Sequence, residues 1–275
     1  MLLFVYWPFV NGIRLGFMDF SFLADSKYIG MANFKKLLDD KEFYIAFRNT
    51  VIFGIFNAAL GIVLPAAMAV LLNEVKLAKT KRVIQTIIYL PSLFSWVIVG
   101  SLFVSILSPT IGAVNLLIKS LGGTPIYFFG EETLARTLFI AMAQWKGVGF
   151  GLIIYLAAIT GIDPTLYEAA EIDGADRWQR IRHITLPGIK ITTKMMMMFG
   201  MMGILSLFDQ VFVLDNWMIH DKVNVLMTYI YSTGLRQFKF GYAASAAMTV
   251  GIVTLMITLV SKKALRFGFE SEGGE

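Results

Sequence analysis

Apolar residues gather in long runs along this chain. The clearest is Val83–Leu107, interrupted only by Gln85, Pro91 and small polar residues. Similar runs cover 49–72, 133–160, 191–214 and 241–260, and the chain opens in apolar sequence over 1–22. A bilayer core about 30 Å thick takes roughly 20 residues of helix. Backbone groups unpaired in lipid are costly, so crossing segments must be helices or a closed barrel. A barrel needs short alternating segments, which these are not. The pattern predicts an all-α transmembrane fold of six spans, forming one domain over 1–275. The opening run lacks the basic lead-in and small-residue cleavage site of a signal peptide. It is expected to be a first span whose cytoplasmic lead-in is missing.

The connections differ in character. Leu23–Arg48 is mixed polar and aromatic, and Asn73–Arg82 is short and basic. Ser108–Glu132, with Gly122, Gly123 and Pro125, predicts an irregular loop holding a short helix. Gly161–Lys190 is long and charged, and Asp215–Lys239 is polar and aromatic. The tail from Ser261 begins with Lys262, Lys263 and Arg266, then turns acidic and glycine-rich, which predicts disorder. Basic residues concentrate in 73–82, 161–190 and the tail. The positive-inside rule then places both termini in the cytoplasm. Trp217, Tyr229, Tyr231 and Tyr242, near span ends, are expected in interfacial belts.

Composition supports a membrane protein. Of the 275 residues, 57% are hydrophobic and 16% charged, and the mean hydropathy is +0.68. Soluble domains average about 25% charge. The absence of cysteine removes disulfide scaffolds, zinc–thiolate sites and thiol nucleophiles. The net charge of +5 fits cytoplasmic loops better than nucleic-acid binding.

The loop 161–190 carries the most local information. Asp163 suits an N-cap and Pro164 the first helical position, which predicts a short helix over 166–172. Gly174 supplies the positive φ that ends it. A second short helix follows, with Asp176 near its start and Trp178, Ile181 and Ile184 on about one face, stopped by Pro187. Taken alone, this helix–glycine–helix fits a partner's cleft or a surface pair with no partner.

The anchors Glu168-Ala169-Ala170, Gly174 and Ile184-Thr185-Leu186-Pro187 resemble the EAA loop of binding-protein-dependent ABC transporter permeases. Weaker likenesses to the sugar-type branch are Tyr6-Trp7-Pro8 with Phe20-Ser21-Phe22, Gly30-x-x-Asn33-Phe34, Tyr89-Leu90-Pro91 and Gly112-x-x-Asn115. Trp145-Lys146-Gly147 with Ile153–Ile159 is similar to the oligosaccharide and aldouronate permeases. The resemblance implies a six-helix type I importer permease with a maltose-permease-like core, in a bacterial inner membrane. It implies a second homologous permease subunit, two copies of a cytoplasmic ATPase and an extracytoplasmic solute-binding protein. Glu168, Ala169, Ala170, Asp173, Gly174, Ile184, Leu186 and Pro187 would couple the chain to that ATPase. ATP and magnesium would belong to the ATPase, and this chain would bind no cofactor.

Charges inside spans are costly and often functional. Lys146 lies near the middle of 133–160, beside Gln144 and Trp145. Trp145 is suited to stacking on a sugar ring and Lys146 to meeting a carboxylate or hydroxyls. The alternative is an ion pair between Lys146 and Asp209. Asp209 and Gln210, late in 191–214, are further substrate-path candidates. The run Met195–Met198 and the glycines 147, 149 and 151 read as helix packing. His183 and His220, in different loops, have no metal-ligand company. No nucleotide-binding loop is present. An ion-coupled secondary transporter is the rival class. It would want inverted repeats and several intramembrane carboxylates. A membrane-embedded enzyme would need an acid–base or metal constellation that is missing.

Overall fold

The computed structural model describes residues 2–20 and 25–266. The likeness at Ser21-Phe22 and the acidic end of the tail lie outside the described residues. Helices dominate. A π-turn, Leu2–Tyr6, leads into α1 (Trp7–Gly16), and the strands β1 (Met18–Asp19) and β2 (Lys27–Tyr28) pair antiparallel. Then come α2 (Ala32–Leu38), α3 (Lys41–Asn73), α4 (Ala78–Tyr89), α5 (Trp96–Ile106), α6 (Ala113–Ser120) and α7 (Glu132–Thr160). The loop after α7 holds α8 (Pro164–Ile172), α9 (Arg177–Arg180) and α10 (Leu186–Gly188). The chain ends through α11 (Lys190–Gly203), α12 (Asp209–Leu214), α13 (His220–Val223), α14 (Leu226–Tyr231) and α15 (Phe240–Arg266).

Among the described residues, three helices are long and apolar enough to cross a membrane: α3, α7 and α15. The expected third span is not one continuous helix. Pro91 lacks an amide hydrogen, and the chain passes through a 3-10 turn, Leu90–Leu93, bending 103° between α4 and α5. Ser95 then caps α5, its hydroxyl accepting from the Ile98 amide at 3.4 Å. The expected fifth span is broken as well, with no helix between Gly203 and Asp209. The first run stops being helical at Gly16 rather than continuing to 22. Counting up to four crossings treats the bent pair as one.

α3 and α7 form the central pair. Glycines on both helices allow close approach, Gly151 of α7 to α3 and Gly149 of α7 to α4. A Cβ on Gly149 of α7 would lie 2.5 Å from the Ile88 carbonyl, and one on Gly151 2.8 Å from the Pro65 ring. The packing expected of these two glycines is present, whereas Gly147 faces open space. On α3, Gly54 lies against Ile204, at the break in the fifth segment.

The connections gather at two ends. At one end Arg177 pairs with Glu74, joining the 161–190 loop to the end of α3. At the other, Asn49 of α3 is fully buried and donates to the carbonyls of Asp221 (3.0 Å) and Asn224 (2.9 Å). Arg136, a second charge in the fourth apolar run that the sequence reading overlooked, donates to Asn49 Oδ1 at 2.8 Å and the Lys222 carbonyl at 3.2 Å. Two of the motif asparagines act as staples at this end. Asn33 donates to the Gly16 and Met18 carbonyls, both at 3.1 Å. Asn115 bonds both the amide and the carbonyl of Ile126, at 2.7 and 2.9 Å.

The aromatic belt expectation is corrected here. Tyr229 is buried and, with Tyr242, donates to Asp40 Oδ2, at 2.6 and 2.7 Å. Tyr231 packs on Phe208 and Phe212. Of the four residues assigned to the belt, Trp217 alone is well exposed, at 87%.

Candidate functional site

Two regions hold the residues singled out by sequence. The first is the surface loop. Asp163 caps α8, its carboxylate accepting from the Thr165 amide at 2.9 Å. That bond holds the Asp163 carboxyl below its ordinary range. Gly174 has φ +77°. The Ala175 amide reaches back to the Ala170 carbonyl at 2.8 Å and the Gly174 amide to Glu171 at 3.1 Å. These paired bonds form a Schellman motif, which needs a left-handed residue at Gly174. Asp176 and Gln179 close a capping box on α9.

No residue of α8 is buried. Glu168, Ala169, Asp173 and Gly174 are exposed, and Ala170 is half-buried. Ile172 is 87% and Trp178 65% exposed. A helix ending in a bare isoleucine presents a surface to something other than its own core. The loop is anchored behind this surface. Ile181 packs on the buried cluster of Leu152, Tyr155 and Ile189. Tyr167 and Thr185 share a hydrogen bond of 2.9 Å. Two expectations change. Trp178 does not share a packed face with Ile181. Pro187 does not stop the helical path, which runs from α9 through a π-turn, Ile181–Thr185, into α10. Ile184 is half-buried, and Leu186 and Pro187 are exposed. His183 is an exposed loop residue whose Nδ1 lies 3.0 Å from the Gln179 carbonyl.

The second region lies at the break between α11 and α12. A cavity of about 340 Å³ is lined there by Asn57, Trp96, Ser206, Phe208 and Asp209, among others. The glycines 54, 200 and 203 open it. Lys146 Nζ donates to the Ser92 carbonyl at 3.3 Å and lies 5.6 Å from the centre of the Trp96 ring. It is therefore not paired with Asp209, and the expected alternative of an ion pair is not formed. Gln144 donates to Asn57 Oδ1 at 2.9 Å. The path candidates do not all converge. Asp209 lines the cavity, while Lys146 and Gln144 touch its wall through Trp96 and Asn57. Gln210 is buried and bound to the Phe139 carbonyl at 2.7 Å. Trp145 meets Phe103 edge-on at 5.3 Å. The sequence reading missed Asn57 and Trp96. Asn57, an amide inside an apolar run, was the available signal.

Helices long and apolar enough to cross a membrane, a cavity at a helix break and an exposed, glycine-terminated surface helix define a multi-pass membrane protein with a bare docking surface. Residues 61–262 match the binding-protein-dependent transport system inner membrane component, and the chain belongs to that family. It is 37% identical to the polygalacturonan/rhamnogalacturonan transport system permease protein YteP of Bacillus subtilis (strain 168), covering 98% of this chain and 85% of the relative. It is 28% identical to the arabinooligosaccharides transport system permease protein AraP of the same organism, covering 99% and 86%. A solved bacterial ABC transporter involved in the import of the acidic polysaccharide alginate superposes with a TM-score of 0.90. The identity is 34%, over 96% of this chain and 90% of that one. The same kind of transporter, in complex with an alginate pentasaccharide-bound periplasmic protein, matches with a TM-score of 0.88 at 34% identity, over 94% and 88%. Family membership sets aside the ion-coupled transporter.

Proposed function

We propose that this chain is the transmembrane permease subunit of an ATP-driven importer of oligosaccharides, an acidic uronate chain being the preferred solute. Family membership together with the bare helix α8 carries this reading. A solute-binding protein delivers the sugar to the face formed by 25–48, 108–132 and 215–239. A second permease subunit completes the path, and two copies of a cytoplasmic ATPase bind the opposite face. The chain is one permease domain of six spans, with both termini cytoplasmic. The bent α4–α5 and the broken α11–α12 each count as a span. No cofactor belongs to the chain itself, since ATP and magnesium are used by the ATPase.

In this reading Glu168, Ala169, Ala170, Asp173 and Gly174 sit in a groove of the ATPase, with Ile184, Leu186 and Pro187 holding the loop. Glu168 is free to accept charge-assisted hydrogen bonds. The alanines permit close approach. Closure of the ATPase pair would move this rigid loop and rock the spans between two packed states. Asp209 with Lys146, Gln144, Trp145 and Gln210 forms the substrate path and its supporting wall. The acidic preference is supported by Lys146, an ammonium group that makes no ion pair among the described residues, and by the alginate importer's similarity.

The test is ATP hydrolysis by the complete complex in liposomes, with its binding protein loaded with neutral or uronate oligosaccharides. Stimulation that requires the loaded binding protein and disappears on altering Glu168 is expected. ATPase activity indifferent to the binding protein would overturn the reading.

A further inference from the structure

A second cavity, of about 540 Å³, lies between β1, α2 and the start of α15. It shares no lining residue with the cavity at Asp209. Its size falls within the range of small-molecule sites, about 300–1,000 Å³. Three features of its wall point to one ligand chemistry.

The first is aromatic. Phe238 has φ +57°, the single non-glycine with positive φ among the described residues. A bulky side chain rarely adopts that conformation, and it costs about 1–3 kcal/mol. The turn is held by its neighbours: the Gln237 amide donates to the Ser232 carbonyl at 3.0 Å and the Lys239 amide to the Thr233 carbonyl at 3.1 Å. The strained residue is not used for core packing, since Phe238 is 67% exposed. Its ring lies 6.2 Å from that of Phe240, which meets Phe20 edge-on at 5.7 Å. The three rings make an aromatic wall along the cavity.

The second feature is a carboxylate already used. Asp40 accepts at Oδ1 from the amides of Glu42 (2.8 Å) and Phe43 (3.3 Å). Its Oδ2 accepts from the Tyr229 and Tyr242 hydroxyls. Four donors occupy its oxygens, so Asp40 braces the floor.

The third is charge left free. Lys36 and Lys239 line the cavity, are exposed, and make no ion pair among the described residues. Asp19, also exposed and lining, has no such pair either. Two ammonium groups and one carboxylate thus face the space beside the rings. Phenyl faces suit the C–H face of a pyranose. Ammonium groups suit its carboxylate and Asp19 its hydroxyls. A neutral sugar's hydroxyls accept hydrogen bonds from the lysines without neutralising their charge, whereas a uronate carboxylate does both.

We infer that this cavity is an external subsite for a uronate-bearing oligosaccharide, formed by Lys36, Lys239, Asp19 and the Phe238 wall. The inference rests on the proposed orientation and on a saccharide solute. It adds a first contact on the delivery face, separate from the path at Lys146.

The test uses the complete complex in nanodiscs without binding protein. Trigalacturonate and maltotriose are the probes, followed by saturation-transfer NMR and calorimetry. The double variant Lys36→Gln/Lys239→Gln is expected to weaken trigalacturonate about tenfold, the loss of roughly one charge-assisted bond. Maltotriose binding should weaken far less than trigalacturonate binding, and Lys36→Arg/Lys239→Arg should restore the uronate. Both lysines are exposed, and an unchanged melting temperature confirms the fold. Trigalacturonate binding that is absent, or indifferent to the double variant, overturns the subsite. So does native mass spectrometry in which the lysines govern retention of phosphatidylglycerol and not of the sugar. Stimulation of the wild-type ATPase by loaded binding protein is read separately. Import can therefore fail while the subsite stands, and the reverse.

Discussion

The guanidinium of Arg136 donates to the side-chain oxygen of Asn49 at 2.8 Å, joining α7 to α3 near one end of the bundle. Asn49 is fully buried and its amide holds two carbonyls of the α13 turn. One polar knot thus fixes two long helices and the 215–239 connection together. Removing one partner leaves the others without their bonds, at about 1–3 kcal/mol for each buried group. Asn49→Ala is expected to lower the melting temperature of the purified complex more than Arg136→Lys, which keeps a donor. Thermal unfolding monitored by size exclusion checks this. An unchanged Asn49→Ala melt would show that the knot carries no stability.

A Gly174 substitution separates a packing role from the proposed coupling role. A Cβ there meets nothing within 4 Å, so Gly174→Ala strains only the backbone at φ +77°, at about 1 kcal/mol. Expression and folding should survive. Transport should fall while ATP hydrolysis continues, because the turn ending α8 is reshaped. Measuring both rates in one proteoliposome preparation decides it. Normal, solute-stimulated coupling in Gly174→Ala would remove the glycine from the mechanism.

Lys146 touches the Ser92 carbonyl and the Trp96 ring. Lys146→Met keeps most of the stem and removes the charge. Uptake of uronate oligosaccharides should drop more than uptake of neutral ones. Equal losses for both would assign Lys146 to holding the bend before α5.

His220 Nδ1 donates to Asp215 Oδ2 across 2.6 Å. The bond to Asp215 raises the imidazole pKa, against burial, which lowers it; the charges of Asp215, Asp221 and Glu42 add to the rise. A raised folded pKa means the protonated ring stabilises the fold. That stability is complete below the unfolded value near 6.5 and is lost as pH rises through the folded value. The melting temperature should therefore decline as pH increases above 6.5. His220→Gln should flatten that slope. A wild-type profile that rises with pH over this window would contradict the pairing.

Much of the architecture was legible because its signals are local. Long apolar runs fix helices wherever water is absent, since the backbone has no other partner. The Asp163-Pro164 start and Gly174 end of α8, and the Asp176 cap of α9, depend on residues within a few positions of each other. They appear where the sequence places them. The family motif in that loop was readable for the same reason.

The rest was decided by contacts between distant parts of the chain. Pro91 interrupts the run, but the 103° bend and the close approach of Gly149 to the Ile88–Tyr89 backbone are tertiary features that no local pattern carries. The break after Gly203 carries no proline. Tyr229 and Tyr242 look like interface aromatics until Asp40, 189 and 202 positions away, accepts both hydroxyls. Lys146 pairs with Asp209 only in expectation; its ammonium group meets the Ser92 carbonyl and the Trp96 ring instead. A single sequence determines which segments are helical and where short caps fall, since those energies are set within a turn or two. Which polar groups meet in the interior is a property of packing, because a buried donor takes whichever acceptor the tertiary structure brings within reach.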